Sequence, residues 1–261
     1  TSTHELYYKS DRTNENLNFI IPLSKHYEYL DILFHDVKEK CVVSDTKYAK
    51  FFNNKTSFVF AYIENSGIKV NKDYFEDFFH DIDSNKVYTK YNLKTTTTRP
   101  GNSFGGVNFA ALNKTNGCRK SFIAENKTLV EMDFSAYHPT LIAKLIGYDF
   151  KGKDIHKYFA ELYGVDYETS KQLTFKQLYG NVFPEYEHLE FFVKLKKFIA
   201  KTWDNFKKIG YYECPISGYR FYDKDLKNMN PPKLLNYILQ QTETSNNVVL
   251  IWEIIKMMKG S

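Results

Sequence analysis

The chain is poor in cysteine: Cys41, Cys118 and Cys214 stand far apart in 261 residues. An odd, scattered set excludes a disulfide framework and a cysteine-based zinc site, and it fits a reducing compartment. No apolar run approaches the ~18 residues that a spanning helix needs, which argues against a membrane segment or a membrane partner. The first residues, Thr1 to Tyr8, are polar, so no signal peptide is expected. Internal repeats and low-complexity linkers are also lacking. What remains, 43% hydrophobic and 26% charged, describes a globular chain with room for one large domain or two small ones. The net charge of +5 suits a polyanion-binding surface or an ordinary basic protein equally well. The 21 Tyr and 22 Phe stand out, although an AT-rich coding sequence enriches both without a functional reason. The N-x-T triplets at Asn54, Asn113 and Asn126 are what chance gives in an Asn-, Lys- and Thr-rich chain.

Periodicity gives an α+β reading in which helices outweigh strands. A helix is expected over 27–40, where Leu30, Leu33 and Phe34 recur at helical spacing. An apolar burst follows at 57–63, then a helix over 70–80 bearing Phe75, Phe78 and Phe79. The stretch 95–117, rich in Thr, Gly and Asn, reads as irregular, and a long loop of this kind is more often functional than idle. Residues 128–134 read as a strand ending on Asp133, with Pro139 at the first position of the next helix and Gly147 as its stop. Further helices are expected over 154–163, 168–179, 187–208 and 232–258, and a hairpin over 211–222 that turns at Pro215-Ile216-Ser217-Gly218.

Asp133, at a strand terminus just ahead of a helix, is either a turn aspartate or a rigidly held metal ligand. Lys171, Phe175 and Tyr179 recur every fourth residue and fall within an arc of roughly 80° on one helix face, with Gly180 behind them. A cation, an aromatic ring and a tyrosine in that order suit a phosphate tail, a base and a sugar. The same pattern also suits an amphipathic helix with Phe and Tyr in the core and Lys snorkelling. Arg99, Asn108 and the pair Arg119-Lys120 are candidate nucleic-acid contacts or solvated surface residues. The lysines at 194, 196, 197, 201, 207 and 208 form a basic helix face, solvated or a phosphate track, opposite Phe192, Leu195, Ile199 and Phe206. Tyr27-x-x-x-Asp31 has the spacing of an exonuclease motif, but 21 tyrosines produce it by chance and no partner carboxylate motifs precede it.

In order along the chain, the pieces from about Ser57 to Met258 resemble family A DNA polymerases, the bacterial DNA polymerase I class, and most closely the short forms carried by bacteriophages. Thr97-Thr98-Arg99, Gly106-Val107-Asn108-Phe109 and Arg119-Lys120-Ser121-Phe122-Ile123-Ala124 resemble the family's T-G-R loop, asparagine segment and R-x-x-F-I-A strand. Val130-Glu131-Met132-Asp133-Phe134-Ser135 resembles palm motif A, and Asp154-Ile155-His156 the D-[IV]-H that opens the fingers. Lys171-x-x-x-Phe175-x-x-x-Tyr179-Gly180 resembles motif B. Gly218-Tyr219-Arg220 and Asn236-x-x-x-Gln240 resemble the hairpin turn and the long helix of the palm.

The resemblance implies a right-hand polymerase fold with an antiparallel palm sheet and helical fingers, the palm incomplete at its C-terminal end. The implied divisions are an N-terminal segment at 1–54, a reduced thumb-like helical region at 55–95, palm at 96–147, fingers at 148–209 and palm again at 210–261. It implies templated addition of dNTPs to a primer 3′ end, with Asp133 bridging two Mg²⁺ ions about 3.5–4 Å apart. Lys171 is then the triphosphate contact. His138, His156, Phe175, Tyr179 and Gly180 form the nucleotide site, and Arg99, Asn108, Arg119, Arg220, Asn236 and Gln240 face primer-template DNA. Phage genome replication in a host cytoplasm follows from the same likeness. The alternatives are a single-subunit RNA polymerase-like enzyme and a catalytically incomplete primer-template-binding fragment.

Departures from the pattern are specific. His138 stands where the family has a glutamate gate against ribonucleotides, Tyr167 where it has an arginine, and Thr98 where it has the T-G-R glycine. The second carboxylate motif has no counterpart up to Ser261, so the chain is expected to be part of a longer polymerase, the alternatives being completion by another chain or an inactive relic.

Overall fold

Local sequence signals set most helix boundaries in the computed structural model, which describes residues 47–93 and 95–259. The helix expected over 27–40 and the Tyr27/Asp31 spacing lie outside the described residues. The apolar burst belongs to α1 (Lys47–Ser66), which crosses the expected boundary at 54/55. After it come β1 (Ile68–Lys69) and α2 (Lys72–Glu76), capped by the Asn71 side chain, which accepts from the Tyr74 amide. The helix expected over 70–80 is thus one short turn. Val70 is instead bridged to Phe122, and Phe75 seats in a small core with Val70, Val87 and Val107.

Strands β2 (Lys86–Val87), β3 (Thr89–Asn92) and β4 (Gly101–Gly106) follow. β1 pairs with β2, and β3 pairs antiparallel with β4 through Thr89↔Gly106, Tyr91↔Asn102 and Asn92↔Gly101. Part of the stretch read as irregular is therefore a strand. Its glycines misled, because glycine lowers strand propensity while suiting close backbone approach.

Residues 128–134 correct the expectation in the other direction. They form no strand, for no described strand lies beside them to accept their hydrogen bonds, and Leu129, Val130, Met132 and Phe134 are exposed. In place of one palm sheet, the described residues make three separate two-stranded antiparallel ribbons.

The remaining chain is mainly helical: α3 (Tyr137–Ile146), α4 (Ile155–Tyr163), α5 (Tyr167–Tyr179), α6 (Glu190–Ile209), the hairpin β5 (Tyr211–Glu213) and β6 (Arg220–Tyr222), and α7 (Pro231–Lys259). Pro139 is the third residue of α3, not the first, and Gly147 ends the helix at φ 63° as a left-handed cap. Asp154 caps α4 through the Lys157 amide, and Asp166 caps α5 through the amides of Glu168 and Thr169.

Helices α3 to α7 close one core around Ile142, Phe159, Phe191, Phe192, Leu195 and Leu239. α7 contributes to two more, with Leu234 and Ile238 beneath the hairpin, and Val248 and Ile255 against α1. Among the described residues no helix is long and apolar enough to cross a membrane.

Candidate active site

α5 presents two faces with opposite roles. Ser170, Thr174, Gln177 and Leu178 are buried against α4 and the core. The Ser170 hydroxyl donates to the His156 carbonyl at 2.9 Å, and Gln177 Nε2 donates to the Tyr163 hydroxyl at 3.1 Å. Lys171, Phe175 and Tyr179 therefore point the other way, into an open cleft of about 670 Å³. The core-helix reading of this stripe is thereby excluded, since the residues α5 buries are mostly polar. Gly180 ends the helix with its amide donating to the Lys176 carbonyl at 2.9 Å. A Cβ at Gly180 would lie 2.8 Å from that oxygen, so the turn that leaves Tyr179 at the cleft rim requires glycine.

The opposite wall starts at Asp133, whose Oδ1 accepts the Phe134 amide at 2.8 Å and which is otherwise exposed toward the cleft. Ala136, at φ 47° and ψ 47°, makes a left-handed turn before α3. Non-glycine residues seldom take this conformation. The turn lets Asp133, Ser135 and His138 all face one space. Arg99, from the loop between β3 and β4, and Asn236 and Gln240, from α7, complete the lining.

The loop is tied to α7 by Thr97 Oγ1 donating to Gln240 Oε1 at 2.9 Å and Thr98 Oγ1 donating to Gln241 Oε1 at 2.8 Å. Gln240 Nε2 in turn donates to Asn236 Oδ1 at 3.0 Å. Thr98 keeps the left-handed backbone, φ 56°, that a glycine would take freely. Its strain is offset by the bond to Gln241, which a glycine could not make.

Polar pairing is dense at the Tyr179 end. His138 Nε2 contacts Glu243 Oε2 at 3.2 Å, and His138 Nδ1 is bonded to the Tyr179 hydroxyl. The bond to His138 holds the Glu243 carboxyl below the ordinary carboxylate range despite partial burial, and Arg99 adds to the effect. Burial pushes the Tyr179 hydroxyl up to about 12; the Glu243 charge adds to that rise and Arg99 opposes it.

At the other end, His156 is buried and its Nδ1 has no hydrogen-bond partner among the described residues. Its ring lies edge-on to Tyr167, 5.6 Å between centroids. Burial first and the Lys171 charge second hold His156 below the ordinary histidine pKa.

The sign of the His156 shift yields a stability prediction. The unfolded imidazole takes up a proton near pH ~6.5 and the folded one only at lower pH. Its contribution is therefore complete above that value and is lost as pH falls toward the depressed folded pKa. Thermal melts followed by circular dichroism are expected to show Tm declining between pH 7 and 5, with a shallower decline in His156→Phe. Equal slopes would contradict the assignment.

No family model matches the sequence, and no curated protein matches it. Among solved structures, the POL domain of Pol1 from M. smegmatis, in complex with DNA primer-template and dNTP, matches with a TM-score of 0.54. Identity is 15%, over 72% of this chain and 40% of that chain. The fold is polymerase-like. The chain spans less than half the length of that polymerase domain.

Within the polymerase-like fold, Asp133, His138, His156, Lys171, Phe175, Tyr179, Arg99, Asn236 and Gln240 share one cleft. Gly180 lies just beyond it, lining an adjoining cavity of about 360 Å³ with Asn181 and Lys233. Arg220 is outside the cleft: its Nε donates to Glu213 Oε2 at 2.6 Å across the hairpin, and its guanidinium covers the Tyr211 ring at 4.6 Å. Asn108 and Arg119 are exposed at short 3₁₀ turns and do not line the cleft either. The α6 lysines also lie elsewhere, and Lys194, Lys196 and Lys207 are paired with Glu190, Glu187 and Asp223.

Sequence reasoning missed Glu243 and Tyr137 as lining residues. The signal for Glu243 was its spacing, since Asn236, Gln240 and Glu243 repeat at helical intervals on one face.

Asp133 is an accessible carboxylate that fits a divalent ion carried in on substrate phosphates. The second carboxylate in the cleft, Glu243, is committed to His138. No group of three or more His, Cys, Asp or Glu suited to a metal occurs among the described residues. The pair of ions implied by the resemblance thus meets one available protein ligand here.

Proposed function

We propose that the cleft binds a deoxynucleoside triphosphate against a primer-template end, and that the chain is the nucleotide-selecting part of a family A, phage-type DNA-templated DNA polymerase. The observation that carries this reading is the convergence, in one cleft, of Asp133, Lys171, Phe175, Tyr179 and His156 with the α7 amides Asn236 and Gln240. These groups come from four separated stretches of chain, yet they supply what a nucleotide needs: a cation for phosphate, rings for the base, amides for the adjoining strand. The polymerase-like fold supports the same reading. On it, the segment around Asp133 and the hairpin with α7 are parts of a palm, and α4 to α6 are the fingers.

Each residue has a role that follows from its chemistry. The Lys171 ammonium meets the triphosphate and is placed to give a proton to the departing pyrophosphate oxygen. His156, which lines the cleft, donates a ring N–H to a phosphate oxygen. Phe175, with its ring parallel to that of Tyr179, packs on sugar and base. Arg99 and the Asn236–Gln240 pair face the primer-template. Asp133 would hold a Mg²⁺ ion that arrives with the phosphates, and such an ion would supply neutralisation of charge developing during phosphoryl transfer.

Binding measurements on the whole chain test this. A labelled primer-template with a templating thymine is titrated with dATP and Mg²⁺. Asp133→Asn is expected to remove the Mg²⁺ dependence of dATP binding and to leave DNA binding intact. Magnesium dependence equal to that of the wild type would overturn the role of Asp133. A second reading, binding without chemistry, is favoured by the commitment of Glu243 to His138. Primer extension separates the two, because nucleotide bound but not incorporated by the chain is the result expected of binding without chemistry.

A further inference from the structure

Gln240 and Gln241 are neighbours on α7 but serve different spaces, because successive residues of a helix project about 100° apart. Gln240 lines the cleft. Gln241 is buried, 2% exposed, and reaches the loop that carries Arg99.

The Gln241 amide can face only one way. The Ser245 hydroxyl commits its proton to the Gln241 main-chain carbonyl at 2.8 Å, so its oxygen can only accept from the side chain. Gln241 Nε2 therefore turns to Ser245 Oγ at 3.2 Å and to Ser217 Oγ at 3.3 Å. Oε1 is left facing Thr98, whose hydroxyl donates to it at 2.8 Å. Ser217 and Ser245 are buried too, and a buried amide with every hydrogen partnered is firmly held.

What this amide holds is a strained turn. Thr98 is β-branched and sits at φ 56°, where such residues are outliers. Strain of this kind persists only where the surroundings over-determine the backbone. The Thr98 amide donates to the Thr95 carbonyl at 3.0 Å, and Thr95 Oγ1 donates to the Arg99 carbonyl at 2.8 Å. On the far side, Pro100 biases Arg99 to extended backbone. Arg99 itself is exposed at the cleft, so the backbone beneath it decides where its guanidinium points.

We propose that Gln241 is a positioning residue for Arg99: anchored by Ser217 and Ser245, it holds the Thr98 turn and so keeps the Arg99 cation aimed at a nucleic-acid strand in the cleft. The proposal rests on the primer-template reading above. Ser217 belongs to the turn between β5 and β6, so one side chain ties that hairpin to the Arg99 loop. Without the Thr98 hydroxyl or the Gln241 amide, nothing offsets the strain at Thr98; the turn relaxes and Arg99 leaves its place. The effect runs through Arg99, because neither Thr98 nor Gln241 lines the cleft.

The test measures primer-template affinity of the whole chain by fluorescence anisotropy, with and without the Arg99 side chain. Arg99→Ala is expected to weaken binding by about tenfold. Thr98→Val, which keeps the branched shape and drops the hydroxyl, is expected to weaken it by about three- to tenfold, and Gln241→Leu likewise. Added to Arg99→Ala, each is expected to change affinity by less than about twofold, because no cation is left to misplace. A merely structural role would have the same effect in both backgrounds. Thr98→Ser keeps the hydroxyl and is expected to bind within about twofold of the wild type. Should Gln241→Leu fail to fold by circular dichroism, Thr98→Val and Thr98→Ser carry the comparison.

If Arg99→Ala weakens binding but Thr98→Val leaves it unchanged, or weakens it equally with and without Arg99, the role of Gln241 is refuted while the DNA-facing cation stands. Thr98→Ser binding as weakly as Thr98→Val refutes it too. If the wild type does not bind primer-template, or Arg99→Ala changes nothing, the primer-template reading of Arg99 falls and takes this proposal with it.

Discussion

Lys171→Ala is expected to weaken dATP binding by about 10- to 100-fold while primer-template affinity changes little, since a hydrogen bond to a charged group contributes about 1.5–3 kcal/mol. The lysine lies mid-face on α5, and its helix is anchored from behind by Ser170, Thr174 and Gln177, so truncation removes the charge without loosening its support. A second readout comes with the same variant. Lys171 is one of the causes holding His156 below the ordinary histidine range, so the imidazole should titrate at higher pH in Lys171→Ala. Proton NMR of the His156 ring measures this directly. Collapse of duplex affinity with dATP affinity unchanged would place Lys171 on the DNA path instead.

Phe159→Ala should destabilise the chain by about 3–5 kcal/mol, the usual cost of emptying a buried aromatic site. The ring is fully buried and packs within 5.2–5.8 Å of Phe191, Tyr163, Tyr158, Phe150 and Phe192. For a chain of this size the loss corresponds to a fall in Tm of about 10 °C. α4 also carries His156, whose carbonyl holds Ser170 of α5, so nucleotide binding should weaken together with the melt. A shift under about 2 °C would mean that the core relaxes around the gap, against the low adaptability expected of packed interiors.

The helices were readable because caps and apolar spacing agree there. Asp154 and Gly147 mark ends that the structure keeps, and the stripe 171/175/179 indicated the cleft-facing side of α5. Residues 128–134 were misread for a reason no local pattern supplies, since a strand exists only with a partner. β4 was missed for the converse reason: a glycine-rich stretch with little propensity is made a strand by its pairing with β3. The polar packing of Ser170, Thr174 and Gln177 stands against the alternative in which Phe175 and Tyr179 are the core side of α5. Of the candidate site, the residues on α5 were foreseeable from spacing, whereas Asn236 and Gln240 on α7 came from the resemblance alone. Arg220 came from the resemblance alone, Asn108 and Arg119 also from residue type, and all three lie outside the cleft. Glu243 was overlooked because its partner, His138, is more than a hundred residues away and the pair exists only once α3 and α7 are packed together.

α7 feeds three apolar clusters and the cleft from a single continuous spiral: Leu235 and Leu239 to one core, Leu234 and Ile238 to another, Val248 and Ile255 to a third, and Asn236, Gln240 and Glu243 to the ligand side. Each added or deleted residue would swing everything beyond it by about 100°. Divergence along this rod is consequently open to exchange of side chains but closed to insertion and deletion, and the spacing between Asn236 and Ile255 should outlast the identities of the residues that occupy it.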